Sequence, residues 1–353
     1  MKKITLSKNV IESAVAVAVN YLPSKESDLE GMLTIGTNGE KITISTTNYA
    51  ETLVLSEIDY QSEDMLDGSF QKFSIDGKKL LHVIRSIKAE TLSFYIEEKQ
   101  ITVSGGRNKV KLEISDVTFD FVIGNEGSRL NIAKLFGGFK SILHAVDSNN
   151  PKVELNGASL QCNDGTLSLV ATDTRRLSVF TTDNDSPCNI IISKDSIKSI
   201  LKLFDGLEPS AVIAETKITI WTETTTYQSS LLNGNFPQWQ RIVPQKLAQT
   251  FSINRVKLLE LFKEASIFKP EVEIEINENQ IRVTDLDKIA ETVEEIETGN
   301  ANIKFKVHSK YMMDFLTSFS EEMVQIGFNE ANLPIMLIAS PNYKEVVMPY
   351  LVN

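Results

Sequence analysis

The sequence predicts an α+β protein in which one fold is repeated three times, each copy carrying two helices on one side and antiparallel sheets on the other. Three observations predict it. The chain has 353 residues, too many for one ordinary core, since domains of about 100–150 residues are the norm. The same order of elements recurs three times, about every 115–125 residues, which is longer than any solenoid repeat and matches whole domains. Alternating apolar and polar runs, such as Thr91–Ile96 and Gln100–Val103, follow the helix signals, and that period of two marks half-buried strands.

Each copy opens with a short strand and an amphipathic helix: Ile4–Ala14, Leu130–Leu143 and Phe251–Phe262. In the third, Ser252 or Asn254 is placed to cap the free amides of the first turn. A strand ending in a polar turn comes next: Ile44–Thr52, Val170–Leu177 and Val283–Thr292. All three set Asn or Asp directly after Thr, a pairing suited to a turn that bonds its own backbone. A second strand–helix step follows at Phe73–Ile84, Ile191–Leu201 and Phe305–Leu316. Strand–helix–strands thus appears twice per copy, with roughly eight strands in each. Boundaries fall near Gly127 and Gln245, giving domains 1–126, 127–245 and 246–353.

The net charge is −11, and simple nucleic-acid binders are basic overall. The charge is unevenly spread, however. Helices are expected at 8–20, 77–88, 133–144, 194–205, 254–264 and 308–316; together they carry +8, leaving −19 elsewhere. At about 100° per residue, Lys78, His82 and Arg85 share one helix face with Lys79 beside them, while Leu80, Ile84 and Ile87 lie opposite. Lys194, Lys198 and Lys202 form a stripe opposed by Ile197, Ile200, Leu201 and Phe204. On a single helix this is an ordinary solvated face. Across six helices of an acidic chain it describes a surface that attracts phosphate on the helical side and repels it elsewhere.

Other classes find little support. Cys162 and Cys188 are too few for a disulfide framework and fit no zinc spacing, so both are expected as reduced thiols. Glu12 and Ser13 interrupt the apolar run Val10–Val19, so no secretion signal is expected. No run approaches the ~18–20 apolar residues of a membrane span. His82, His144 and His308 stand in no metal-ligand spacing, and no glycine-rich loop ends in Lys-Ser or Lys-Thr. Gly105-Gly106 fits a hairpin and Gly137-Gly138 a helix. Asp173 beside Arg175 and Arg176 is better explained by turn hydrogen bonds than by catalysis.

Leu155–Gly157, Val170–Leu177, Asn233–Pro244 and Val346–Tyr350 stand in this order within the repeats. In these motifs, and over its full length, the chain resembles the bacterial beta sliding clamp, the processivity subunit of DNA polymerase III. The resemblance implies three DNA-clamp domains with helices on the inner side and sheets outside. Two subunits would close head-to-tail into a ring of pseudo-sixfold symmetry around duplex DNA. It implies no catalysis and no cofactor, a cytoplasmic location, no membrane, and binding to DNA without sequence preference. The partners it implies are the catalytic polymerase subunit, the clamp loader and other proteins carrying a clamp-binding motif.

For the partner cleft, the resemblance points to Leu155, Thr172, Thr174, Arg175, Arg176, Leu177, Pro237, Arg241, Ile242, Val346, Val347, Met348, Pro349 and Tyr350. The uncharged end of the chain suits apolar anchors of a short peptide, although a final strand completing the core would look the same. The family commonly has Gly-His at Thr174-Arg175 and Met at Tyr350, so peptide preference is expected to differ. For DNA, Lys25, Asn149 and Lys152 match loop positions. Lys78, Lys79, Arg85, Lys134, Lys140, Lys194, Lys198, Lys202, Arg255, Lys257 and Lys263 are chosen by helix face. For the ring interface, Arg107, Lys109 and Val110 would meet Ile267 and Phe268 of the other subunit, near Glu294 and Glu295; an edge strand guarded by lysine reads the same way. The rival to encirclement is an acidic adaptor that keeps the cleft and lacks the DNA surface.

Overall fold

A computed structural model describes residues 2–23, 30–37, 39–62, 72–118, 126–184, 186–277, 279–296 and 301–350. The chain forms two compact units, Met1–Leu130 with Glu208–Ser230, and Asn131–Leu207 with Leu231–Asn353. These do not follow the repeat. The strand Thr225–Ser230 pairs antiparallel with Glu51–Asp59, from Thr225↔Leu55 to Ser229↔Glu51, so part of the second copy joins the first copy's sheet. Among the described residues there are 25 strands and six α-helices.

The first unit is one 13-stranded sheet carrying helices α1 (Lys8–Ala18) and α2 (Gly77–Ser86). The sequence dictates the faces of α2. Leu80, Val83 and Ile84 are buried, while Lys78, Lys79, His82 and Arg85 are exposed. Asp76 Oδ1 accepts the Lys79 amide at 2.9 Å and caps the first turn. Ile11 and Val15 of α1 join Leu80 and Ile84 in a core with Leu33, Ile44, Ile75 and Val103. Full burial of such side chains contributes about 1.5–3 kcal/mol each, which is what holds the helices to the sheet. Gly106 and Arg107 make the tight turn between Gln100–Gly105 and Asn108–Ser115, with Gly106 at φ 58°.

In the second unit an eight-stranded antiparallel sheet has the strands 189–193, 157–163, 166–172, 176–183, 343–347, 335–340, 323–328 and 249–254 in spatial order. Its centre joins the second and third copies: Arg176 pairs with Val347 and Leu177 with Val346. A four-stranded sheet orders the strands 291–295, 280–285, 271–277 and 303–308. The helices are α3 (Phe136–Ile142), α4 (Lys194–Phe204), α5 (Arg255–Ala265) and α6 (Ser309–Thr317). The expected single helix over 133–144 is instead α3 flanked by 3₁₀ turns at Ile132–Leu135 and Leu143–Ala145. Gly137-Gly138 lowers α propensity there. A Cβ on Gly138 would stand 2.6 Å from Phe180 Cδ1, so a bare backbone is what lets α3 lie against the sheet. Of the two expected caps for α5, Asn254 serves, accepting from Val256 N and Lys257 N.

The Thr-Asx turn forms in all three copies. Asn48 Oδ1 accepts from Ala50 N and Glu51 N, Asp173 Oδ1 from Arg175 N and Arg176 N, and Asp285 Oδ1 from Ile289 N and Ala290 N. Each turn holds a non-glycine residue at positive φ: Tyr49, Thr174 and Lys288. Among the described residues, no helix is long and apolar enough to cross a membrane.

Candidate functional site

Thr174, in the turn Asp173–Arg175, lines a groove lying wholly within the second unit. Its volume is about 350 Å³. Leu155, Thr172, Thr174, Arg176, Leu177, Pro237, Ile242, Val346 and Met348 line it, together with Lys152, Phe236 and Trp239. Three segments distant in sequence meet here because Arg176–Asp183 pairs with Tyr343–Val347, while the 233–244 segment folds over both strands. Val170, Leu177, Val179, Trp239, Val243, Met336 and Val346 form one apolar cluster under the groove, with Phe236 packed against it. The indole N–H of Trp239 donates to Gln161 Oε1 at 3.2 Å, which fixes the ring. Ile242 and Met348 remain 41% and 38% exposed, an apolar lip open to a ligand.

A charged cluster behind the groove holds its walls. Arg176 is buried, and its Nε donates to Asp173 Oδ2 at 3.0 Å, Nη1 to Asp314 Oδ2 at 2.8 Å and Nη2 to His144 O at 2.7 Å. Burial works against its charge, but Glu345, Asp314 and Asp173 outweigh it and hold the guanidinium above its ordinary range. Glu345 is fully enclosed; Oε2 meets His144 Nε2 at 2.6 Å and accepts the Ser178 hydroxyl. Removing one partner from such a set leaves a buried charge uncompensated, at about 3–5 kcal/mol. Arg176 is thus more a brace than a ligand-facing cation.

Several expectations for the groove change. Val347 is fully buried and does not line it; on a strand, neighbouring side chains point to opposite faces, and Val346 takes the groove side. Arg175 and Arg241 are exposed and Pro349 is buried; none lines the groove. Tyr350 bridges by its backbone to Lys306 and also stands outside the lining. Phe236 and Trp239 belong to the Asn233–Pro244 motif but are not among the expected groove residues; two aromatics in a Gly-Asn-Pro-rich stretch are the mark that identifies them.

The helix cations fall into two groups. Lys78, Lys134, Lys202 and Lys263 are exposed and pair with no described residue. Others are engaged: Lys79 with Asp76 at 3.4 Å, Arg85 with Glu12 at 3.1 Å, Lys140 with Asp205 at 2.7 Å and Lys198 with Asp195 at 3.0 Å. These are surface pairs, each worth about 0–1 kcal/mol, and they exchange readily for a phosphate. Lys194 is half-buried, donating to Val146 O at 2.5 Å and Ser148 Oγ at 3.0 Å. Burial first, then Lys198 and Arg176, push its ammonium below the ordinary range. Lys140, His144, Lys194, Lys198 and Lys310 surround an open hollow of about 480 Å³.

Arg255 is committed to protein partners, and Lys257 forms one more surface pair. Arg255 donates to Glu321 O and Leu316 O, both at 3.0 Å, and lies over the Phe319 ring. Lys257 is paired with Glu294, which also removes that carboxylate from a purely intersubunit role. Lys152 stands at the groove, and Asn149 is exposed in its loop. Lys25 lies outside the described residues.

Five of the seven interface candidates stand at strand edges or the turn beside one that carry no second strand among the described residues. Asn108–Ser115 pairs with Phe73–Asp76 only at Ile114 and Ser115, so its start, with Lys109 and Val110 and the turn residue Arg107, has a strand partner on one side only among the described residues. Glu291–Glu295, with Glu294 and Glu295, is the outer strand of the four-stranded sheet. Ile267 and Phe268, just past α5, are 69% and 63% exposed.

With this geometry in hand, known proteins are informative. The family model described as DNA polymerase III beta subunit, central domain, matches residues 130–238, and the C-terminal domain model matches 240–351. The beta sliding clamp of Helicobacter pylori strain J99 is 24% identical over 360 residues, covering 95% of this chain and 93% of that protein. That of Pseudomonas aeruginosa is 24% identical over 300 residues, covering 79% and 81%. The crystal structure of the Helicobacter pylori beta clamp bound to a DNA ligase peptide superposes with a TM-score of 0.90, covering 99% of this chain and 100% of that chain at 23% identity. The fold is therefore that of the beta clamp. The two domain models together span more than half of the sequence in the expected order, and the chain belongs to the DNA polymerase III beta subunit family.

Proposed function

We propose that this chain is a DNA sliding clamp: two copies close head-to-tail around duplex DNA, and the groove tethers the replicative polymerase and other replication and repair proteins to it. The observation that carries the reading is the groove itself. It is apolar at its base, open at Ile242 and Met348, and of a size that takes two or three side chains of an extended peptide. In the Helicobacter pylori relative a DNA ligase peptide is the bound partner.

Exposed cations on the helices of an otherwise acidic chain supply an attraction for phosphate without base recognition. Weak, unspecific contacts suit a protein held by topology rather than by grip. The protein is a non-catalytic, cytoplasmic processivity subunit, with domains at 1–126, 127–245 and 246–353. The open edge at Lys109 and Val110, with Arg107, meets the acidic strand Glu291–Glu295 and the apolar Ile267 and Phe268 of a second copy. Apolar contact rimmed by opposite charges suits a ring that is stable yet can be opened.

Retention on DNA tests this reading. Loaded by its clamp loader, the protein should stay on closed circular DNA through gel filtration and be lost once the circle is cut. Equal retention on both forms would refute topological binding. Peptide binding without DNA retention on either form would instead favour the acidic adaptor.

A further inference from the structure

Cys162 and Cys188 are the only cysteines in the 353-residue chain, and the fold sets them opposite one another. The strands Gly157–Asn163 and Asn189–Ser193 pair antiparallel, from Gly157↔Ser193 to Gln161↔Asn189. The next step of that register is Cys162 against Cys188, and there the Cys162 amide donates to the Cys188 carbonyl at 2.8 Å. Directly opposed residues present their side chains on one face of a sheet, with Cα atoms about 5.5 Å apart in a hydrogen-bonded pair. Disulfides span Cα separations of about 4.4–6.8 Å.

Neither thiol is strongly held elsewhere. Cys162 Sγ stands 3.2 Å from Asn184 O and Cys188 Sγ 3.7 Å from Leu160 O, and a thiol is a weak donor. Cys162 is half-buried and Cys188 buried, so a small reagent meets Cys162 first. Burial and then the neighbouring Cys162 push the Cys188 thiol up to about 12, which makes Cys188 a poor first nucleophile.

We infer that Cys162 and Cys188 are a reversible cross-strand disulfide site, a redox modification point on the sheet that carries the groove. The oxidant is a low-molecular-weight disulfide such as oxidised glutathione. The Cys162 thiolate attacks one sulfur of the oxidant, forming a mixed disulfide and releasing one small thiolate. Cys188 then gives up its proton to solvent and displaces the second small thiolate. The protein loses two hydrogens, and the oxidant becomes two thiols. Side chains of a hydrogen-bonded pair start farther apart than the Cβ separation of about 3.8 Å that a disulfide prefers, so the strands must draw together. Asn189–Ser193 is the outer strand of its sheet, with a strand partner on one side only among the described residues, and its far edge is bonded at Ile191 O by the Leu232 amide. The resulting strain raises the reduction potential and keeps the link reducible, as in regulatory disulfides.

The reduced full-length protein, incubated natively with oxidised and reduced glutathione at varied ratios, tests this. Peptide mapping without reductant should find one fragment joining Cys162 to Cys188, lighter by two hydrogens. Both thiols should resist alkylation and recover with dithiothreitol. Cys188→Ser should trap Cys162 as a lasting glutathione adduct, and Cys162→Ser should leave Cys188 unreacted until urea is added. The inference is overturned if the native wild-type chain stops at a Cys162 adduct with Cys188 still alkylated. Links only between separate chains, or no reaction at any ratio, overturn it equally.

Discussion

Thr174 sits at φ 73°, a left-handed conformation that β-branched residues rarely adopt. Its neighbours hold it there: Thr172 Oγ1 accepts the Thr174 amide at 3.1 Å and donates to Arg176 O at 2.6 Å. Tyr49 in the first copy is held the same way, by Thr47 Oγ1 at 3.0 Å. A left-handed non-glycine residue costs about 1–2 kcal/mol. Thr174→Gly should therefore stabilise the protein by about 0.5–1 kcal/mol, after allowing for the freer unfolded chain. Calorimetry would show this as a higher Tm, and an unchanged or lower Tm would mean the turn is not strained. Met348 makes a different case. Because it is 38% exposed at the groove lip, Met348→Ala should change stability little yet weaken a polymerase-derived peptide about tenfold, roughly 1.4 kcal/mol. Tyr350→Ala should weaken it less, since Tyr350 is outside the lining. Titration calorimetry on the two variants separates them, and the reverse order would relocate the anchor.

Among the elements, the pairing of Arg176–Asp183 with Tyr343–Val347 decides whether the groove exists. Asp314 of α6 reaches across to Arg176, tying helix to strand. Desolvation raises the Asp314 carboxyl, but hydrogen bonds from Lys310 and Arg176 outweigh it and leave it below the ordinary 3.8. A carboxylate lowered in the folded state adds stability that is fully present above its unfolded value. That stability is lost as pH falls through the folded value. Melting temperature should fall as pH drops below about 4, and Asp314→Asn should melt lower at neutral pH while showing a smaller acid-induced fall. An identical acid dependence in variant and wild type would rule out Asp314 as a contributor.

For the molecule as a whole, the uneven charge is the functional quantity. Helix segments carrying +8 within a chain of −11 mean that cation losses there matter more than the total suggests. Lys78 and Lys202 are exposed and pair with no described residue. The double variant Lys78→Glu, Lys202→Glu should keep its Tm and reduce retention on circular DNA, with a shallower dependence of retention on salt. Retention and salt slope equal to wild type would make those lysines merely solvated.

The sequence alone determined five of the six helices to within about two residues, their buried and cationic faces, and the Thr-Asx turns, but not the break-up of 133–144 into α3 and two 3₁₀ turns. These follow from local periodicity and from side chains that bond their own backbone. α2 shows it, with Leu80 and Ile84 buried and Lys78 and Arg85 exposed. It also determined the motifs that make up the groove, because those residues stand in recognisable order. Only the tertiary structure decided which of them face it. Whether Val346 or Val347 points inward depends on strand register against Leu177, set more than 160 residues away. It decided as well that Trp239 and Phe236 form the groove wall, and that Arg255 is spent on protein partners. Long-range pairing fixes such choices, and no local pattern encodes them.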